Sequence, residues 1–371
     1  MPDLVRTDEM LDDGNLRCRG GSWLHLFMKI IYTEKFENIA SAENLLEAWR
    51  EFLDGKRKKR DVQEFQLHLM DNILSLRADL INGTYRHGGY EHFRISDPKP
   101  RDIHKACVRD RLVHHAIYRQ LYPFFDRTFI SDSFSCRDDK GTLAAINRFR
   151  RFAYIASKNN TRTCWVLKCD IRKFFANIDH ATLVGMLESY IPDRAIIALL
   201  KEVIGSFSST APGVGLPLGN LTSQLFVNIY MNEFDQFIKH TIRAKYYVRY
   251  ADDFTILSDN RDWLEIILPE IRNFLANRLK LELHSKKVSI KTLASGIDVL
   301  GWVHFPDHRV LRTRTKRRAM NLVAVNPNEQ RVASYVGMLK HGNAEKIKGT
   351  ILETVSKWDD MTIETVVPGS L

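Results

Sequence analysis

The sequence predicts an α+β fold, with helices packed on one face of an antiparallel sheet. Three observations carry that expectation. Cys164-Trp165-Val166-Leu167 is a short apolar run ending in Lys168-Cys169-Asp170, which reads as a buried strand with an acid at its tip. Tyr246 to Tyr250 and Phe254 to Leu257 are strand-like runs with Ala251-Asp252-Asp253 between them, the pattern of a hairpin. Elsewhere apolar residues recur at three- and four-residue steps, the period of an amphipathic helix.

In chain order, residues 1 to about 20 are polar and glycine-containing, a loose leader. Trp23 to Leu53 suggests helices and leads into the basic run Lys56-Arg57-Lys58-Lys59-Arg60, read as a solvated linker. Val62, Phe65, Leu69, Ile73, Leu76 and Leu80 predict one helix, stopped by Asn82-Gly83. Gly88-Gly89 and the Pro98/Pro100 pair mark loops around an extended piece, His92 to Ile95. A further helix follows over Arg109–Leu121, with Leu112, Val113, Ala116, Ile117 and Leu121 on one face. After the first strand, the glycine-proline loop Gly213–Gly219 leads to a helix over Thr222–His240. The helix after the hairpin, Trp263–Leu279, contains Pro269, which predicts a bend or a restart. The last sixty or so residues read as helical and basic.

Composition narrows the function. At 371 residues, 44% hydrophobic and 27% charged, the chain excludes disordered, collagen-like and mini-protein classes. Lysine and arginine exceed the acids for a net charge of +10, which favours a polyanionic partner. Five cysteines, with no CxxC and no nearby histidine cluster, argue against a disulfide framework or structural zinc; Cys164 and Cys169 are expected in the core. His114-His115 lack ligand spacing and are expected on a helix surface. Gly213-Val214-Gly215 and Gly219 have the wrong spacing for a dinucleotide fold. The opening MPDLVRTDEM lacks an apolar signal core, and no run of eighteen apolar residues exists, so the expectation is a cytoplasmic protein without a spanning helix.

Asp170 and the pair Asp252-Asp253 are far apart in sequence, yet all three sit at strand ends. On neighbouring strands they converge at one sheet edge. Such hard oxygen ligands suit Mg²⁺, which binds one or two carboxylates and completes its shell with water and phosphate oxygens. Two ions roughly 3.5–4 Å apart can activate a 3′-hydroxyl and stabilise a pyrophosphate leaving group. The competing reading of Asp252-Asp253 alone is a polar turn.

These residues also carry a family resemblance. Tyr250-Ala251-Asp252-Asp253-Phe254 resembles the YxDD box of reverse transcriptases, here a YADD motif, and LKCDIRKFFANI (167–178) resembles the motif holding their first catalytic aspartate. GLPLGNLTSQ (215–224) sits where these enzymes have their LPxGxxxS loop. FRISDPKPRDIHKACVRDR (93–111), FSCRDDKGT (134–142), LELHSKKV (281–288) and Leu300-Gly301-Trp302 follow the family order, over roughly residues 60 to 310. The resemblance implies a magnesium-dependent RNA-directed DNA polymerase, a nucleotidyltransferase with a right-hand fold. It divides the chain into an N-terminal helical extension (1–55), fingers (56–160), a palm (161–308, with part of the fingers inserted around 185–215) and a basic helical thumb (309–371). Most mobile-intron enzymes carry glutamine before the loop glycine and proline after its serine. Leu218 and Gln224 stand there instead, and this is similar to the error-prone enzymes of diversity-generating retroelements. A phage-defence or unclassified bacterial reverse transcriptase is the alternative, and an RNA-binding scaffold with a retained fold is the non-enzymatic one.

By the same resemblance, Asp170, Asp252 and Asp253 are catalytic and, with the carbonyl of Ile171, hold two Mg²⁺ ions, with Mn²⁺ able to substitute. Phe175 resembles the ring that excludes a 2′-hydroxyl, its alternative being core packing. Lys99, Arg101 and Lys287 resemble residues around the incoming triphosphate, with Lys286 the competitor of Lys287. Leu218, Gly219 and Gln224 belong to the same nucleotide-binding set. Arg309 to Arg318 resembles a nucleic-acid grip, giving Arg312, Arg314, Lys316, Arg317 and Arg318 as backbone contacts. The implied partners are template RNA, nascent cDNA, deoxynucleoside triphosphates and a small basic ring-forming accessory protein that docks on the N-terminal helices or the thumb.

Overall fold

The computed structural model describes residues 30–96, 100–325 and 328–364. The leader and Lys99 lie outside the described residues. The first helices are α1 (Phe36–Ala40), α2 (Ala42–Phe52), α3 (Arg60–Leu67) and α4 (Leu69–Ile81). The single helix expected over 62–80 is therefore two. His68, at φ −121° and ψ 40°, leaves the helical basin, and Asn72 Nδ2 donates to the Phe65 carbonyl near the break at 2.9 Å. The apolar spacing still buries Val62, Ile73, Leu76 and Leu80 across the joint. Apolar periodicity reports a shared face, not an unbroken backbone.

Strands β1 (Tyr90–Ile95) and β2 (Arg101–Ala106) form an antiparallel hairpin, followed by α5 (Val108–Asp126) and α6 (Thr142–Ala156). The central sheet is built from β3 (Trp165–Asp170), β4 (Tyr246–Tyr250), β5 (Asp253–Ser258) and β6 (Ser289–Thr292), in the order β4-β5-β3-β6 with every pair antiparallel. Between them run α7 (His180–Glu188), α8 (Arg194–Gly205), α9 (Leu221–Gln236) and α10 (Arg261–Leu279). The chain beyond α9 continues as a π-helical turn, Phe237–Thr241. Helix α10 runs through Pro269 without interruption, started by the Asn260 side chain, which accepts from Trp263 N at 3.0 Å. A three-stranded sheet, β7 (Ile297–Val299), β8 (Trp302–His304) and β9 (Arg309–Leu311), leads into α11 (Thr313–Val325), α12 (Glu329–Leu339) and α13 (Glu345–Glu364).

Strand side chains alternate between faces, and both faces of the central sheet are covered rather than one. Leu167, Cys169, Phe254 and Ile256 join the large core with Phe226, Tyr230 and Phe234 of α9 and with residues of α1 to α5. Val166, Val248 and Leu257 point the other way, onto Phe149 and Phe152 of α6. A third core joins Trp302 and Leu311 to Val323, Leu339 and Ile351 of the last three helices. His114 departs from the surface position expected. It is 2% exposed, meets Thr222 Oγ1 and His87 Nε2, and burial pushes its imidazole down to about 3. Among the described residues no helix is long and apolar enough to cross a membrane.

Candidate active site

The register of β3 against β5 pairs Asp170 directly with Asp253. Asp170 is the last residue of one strand and Asp253 the first of the other, so both carboxyl groups emerge at one sheet end. Asp252 lies in the two-residue turn between β4 and β5, and its carbonyl accepts from Ile171 N at 3.1 Å. The His284 amide donates to the Asp170 carbonyl at 2.8 Å, which brings the turn Ser285–Lys287 alongside. From there Lys287 Nζ reaches both Asp170 carboxylate oxygens at 2.8 Å; Lys287, not Lys286, makes this contact. Burial pushes the Asp253 carboxyl up to about 6; Lys168 opposes that rise, and the Asp252 and Asp170 carboxylates add to it. The site concentrates negative charge that Lys287 and Lys168 only partly offset, so it favours an added cation.

The turn that carries the aspartates is held from behind. Ala251 adopts φ +53°, a left-handed conformation that costs a non-glycine residue about 1 kcal/mol or more. Its carbonyl accepts from Arg249 Nη1 at 3.2 Å. Arg249 is fully buried and forks onto Asp235 of α9, Nε to Oδ1 at 2.8 Å and Nη2 to Oδ2 at 2.7 Å. Tyr247 Oη donates to the same carboxylate at 2.6 Å, and Ser133 Oγ accepts from Nη2 at 2.9 Å. Burial works against the guanidinium's charge, but Asp235 beside it holds its pKa above the usual arginine value. The sequence reading missed this network. Its signal was an arginine inside the apolar run Tyr246–Tyr250; Asp235 gave none, because α9 carries other polar residues, Glu233 among them.

The remaining candidates are placed as follows. Phe174 is buried while Phe175 is half-buried and packs against Phe174 at the edge of the large core; its carbonyl accepts from Leu216 N at 2.8 Å, which sets its backbone beside the glycine-proline loop. Leu218 is half-buried, and its carbonyl accepts from His104 N of β2 at 3.1 Å. Gly219 has φ +109°, and a Cβ there would lie 3.0 Å from Ile103, so this turn requires glycine. Gln224 is half-buried in the first turns of α9, and Arg101 is exposed at the start of β2. Arg314, Lys316 and Arg317 are exposed on α11 and Arg318 is half-buried. Arg312 is engaged within the chain, with Nη1 3.0 Å from Asp298 Oδ2.

Among the described residues no group of three or more histidine, cysteine or acidic side chains is placed to hold a metal ion. The register does set Asp170 beside Asp253, and carboxylates are the hard oxygen donors that Mg²⁺ combines with substrate phosphates.

The reverse transcriptase (RNA-dependent DNA polymerase) family model matches residues 96–304. Protein YkfC of Escherichia coli K12 is 26% identical over 306 residues, covering 71% of this chain and 78% of that protein. The group II intron-encoded protein LtrA of Lactococcus lactis subsp. cremoris is 22% identical over 321 residues, covering 67% of this chain and 51% of LtrA. The chain thus spans about half the length of that intron-encoded relative. Among solved structures, telomerase from Candida albicans, in complex with a fragment of telomeric RNA, is similar with a TM-score of 0.50 at 10% identity, over 75% of this chain and 56% of that one. That likeness concerns the fold, which is the right-hand polymerase fold the motifs implied. With more than half of its length matched, the chain belongs to the reverse transcriptase family of RNA-dependent DNA polymerases.

Proposed function

We propose that this chain copies RNA into DNA by two-metal phosphoryl transfer, with Asp170, Asp252 and Asp253 as the catalytic carboxylates. The pairing of Asp170 with Asp253 carries the reading, because it joins acids distant in sequence at adjacent strand ends. Two Mg²⁺ ions, held by these carboxylates and the Ile171 carbonyl, would supply activation of the primer hydroxyl and charge neutralisation at the leaving group. The protein's own part is positioning: rigid strand ends carry the carboxylates, and Lys287 places its charge beside Asp170. In this reading 161–308 is the palm, 56–160 the fingers and 309–371 the thumb. Template RNA and cDNA lie against the exposed cations of α11, and deoxynucleoside triphosphates enter past Arg101 and Phe175. Primer extension by the purified chain on a defined RNA in Mg²⁺ tests the activity, and absence of product sinks it.

The finer role rests on Leu218 and Gln224, which favour error-prone cDNA synthesis for a diversity-generating retroelement. The likeness to LtrA favours a second reading, an enzyme of the mobile-intron type. A template repeat and a variable repeat beside the gene would establish the first.

Two outcomes follow from the loop geometry. Phe175→Val admits ribonucleotides, because truncating a half-buried ring at the edge of the large core opens space without touching the carboxylates. Incorporation of ribonucleotides against deoxyribonucleotides measures it; an active variant that still rejects ribonucleotides means Phe175 only packs. Leu218→Gln lowers misincorporation opposite template adenine. Leucine offers apolar contact alone, whereas a glutamine hydrogen bond worth roughly 1–2 kcal/mol changes discrimination about five- to thirtyfold. Sequencing cDNA from a defined RNA tests this, and an unchanged error rate at adenine in an active variant refutes it.

A further inference from the structure

A second cluster of cations lies at the far end of the β7–β9 sheet. The Leu300–Gly301 turn lies at the aspartate end, where Leu300 and Asp253 line one small cleft. At the opposite end, the β8–β9 turn, α6 and the α12–α13 turn enclose an open cavity of about 380 Å³. Arg150, His308, Arg309, Lys340 and His341 line it, with Asp307 as the one acid. Asp307 turns its carboxylate to His308 Nδ1 at 2.8 Å.

The cavity is built into the fold. Arg309 is 7% exposed, with Nε donating to the His341 carbonyl and Nη1 to Asn147 Oδ1 at 3.0 Å. Its backbone carbonyl accepts from Asn343 N at 2.9 Å, which seats the α12–α13 turn on the sheet. A Cβ at Gly342 would lie 2.1 Å from the Trp302 ring, so only glycine allows this approach.

The charges in this cavity do not balance. Buried cations are ordinarily paired, because an unpaired one pays its desolvation without return. Among the described residues buried Arg309 has no carboxylate within 4.0 Å, and neither has exposed Arg150, which donates to the Asp307 carbonyl at 3.4 Å, nor exposed Lys340. His304 is not part of the lining but feels the Arg309 and Arg150 charges; it is 2% exposed and leaves Nε2 buried with no hydrogen-bond partner. Burial first, and then the Arg309 and Arg150 guanidiniums, hold its imidazole down to about 3. The same two guanidiniums repel each other, and burial together with Arg150 lowers the Arg309 pKa.

We propose that this cavity is a phosphate-binding site, separate from the aspartate cluster. A phosphate offers mainly acceptors and up to two charges, which matches the donors left on the two guanidiniums and an ammonium better than a single carboxylate does. The open side admits a phosphate that is part of a nucleic-acid strand as well as a free phosphate or nucleotide. The assignment does not depend on the catalytic reading of the aspartates, since none of its residues belongs to that cluster, although Arg309, Lys340 and His341 fall in the segment read as the thumb.

The test uses the full chain and the exposed pair Arg150→Ala/Lys340→Ala, which leaves buried Arg309 in place. Inorganic phosphate and a twelve-nucleotide single-stranded RNA, a length set by the test, are the two probes. On titration with either, the His304 imidazole resonances shift in the parent and not in the double variant. If a strand is the ligand, RNA affinity falls at least about fivefold and the slope of log K against log salt falls by about 0.7 per lost phosphate contact. Primer-extension turnover at saturating template–primer stays unchanged. If only inorganic phosphate moves His304, the site serves a free phosphate or nucleotide. Identical His304 responses in parent and variant, or none in the parent, overturn the proposal.

Discussion

Asp252→Asn and Asp170→Asn each abolish DNA synthesis, by on the order of a thousandfold or more, while RNA affinity stays within about twofold of the parent. Asparagine keeps the shape of the side chain and part of its hydrogen-bonding capacity but removes the charge that a divalent cation needs. A metal site contributes several kcal/mol to a charged transition state, and each 1.36 kcal/mol is worth a factor of about ten. In the proposed reading duplex affinity comes from lysine and arginine elsewhere, so the two readouts should separate. At Asp170 the substitution also deprives Lys287 of its charged partner and of one of the two oxygens it reaches at 2.8 Å. Primer extension in Mg²⁺ beside direct RNA-binding measurements checks this; near-parental extension by either variant removes the aspartates from the mechanism.

Asp235→Ala destabilises the chain by about 3–5 kcal/mol, because it leaves a buried guanidinium uncompensated. Domains of this kind have only about 5–15 kcal/mol of stability, so this single change removes a large share. Both partners are fully buried, and among the described residues Asp235 supplies the one carboxylate on the Arg249 fork. Asp235→Leu/Arg249→Met removes both charges and retains more stability than Asp235→Ala. It remains poorly active, because nothing then donates to the Ala251 carbonyl at the turn. Denaturant unfolding of the three proteins and their primer extension test the pair. A double variant less stable than Asp235→Ala contradicts the account.

What the sequence made legible was local. The run Trp165 to Asp170 and the hairpin around Asp252 are short segments whose alternation and turn chemistry are self-contained, and the structure forms both. What it hid depended on partners elsewhere in the chain. His114 looked like a surface residue because its neighbours on α5 gave no hint that Thr222 and His87 would close over it. The break at His68 escaped notice because the buried face continues through it. Arg249 with Asp235, and Lys287 with Asp170, are pairings between separate elements, which no window along the sequence can register.

The large core has a practical consequence for trimming the chain. Tyr32, Leu45, Trp49 and Phe52 bury themselves in the same apolar mass as Leu112, Ile117 and Phe125 of α5 and Phe226 of α9. A truncation starting at residue 56 would strip those side chains from α5 and leave a contiguous greasy surface open to water, a recipe for self-association rather than a smaller working unit. Limited proteolysis should accordingly spare the stretch around Trp49 and leave it attached to the sheet-bearing fragment.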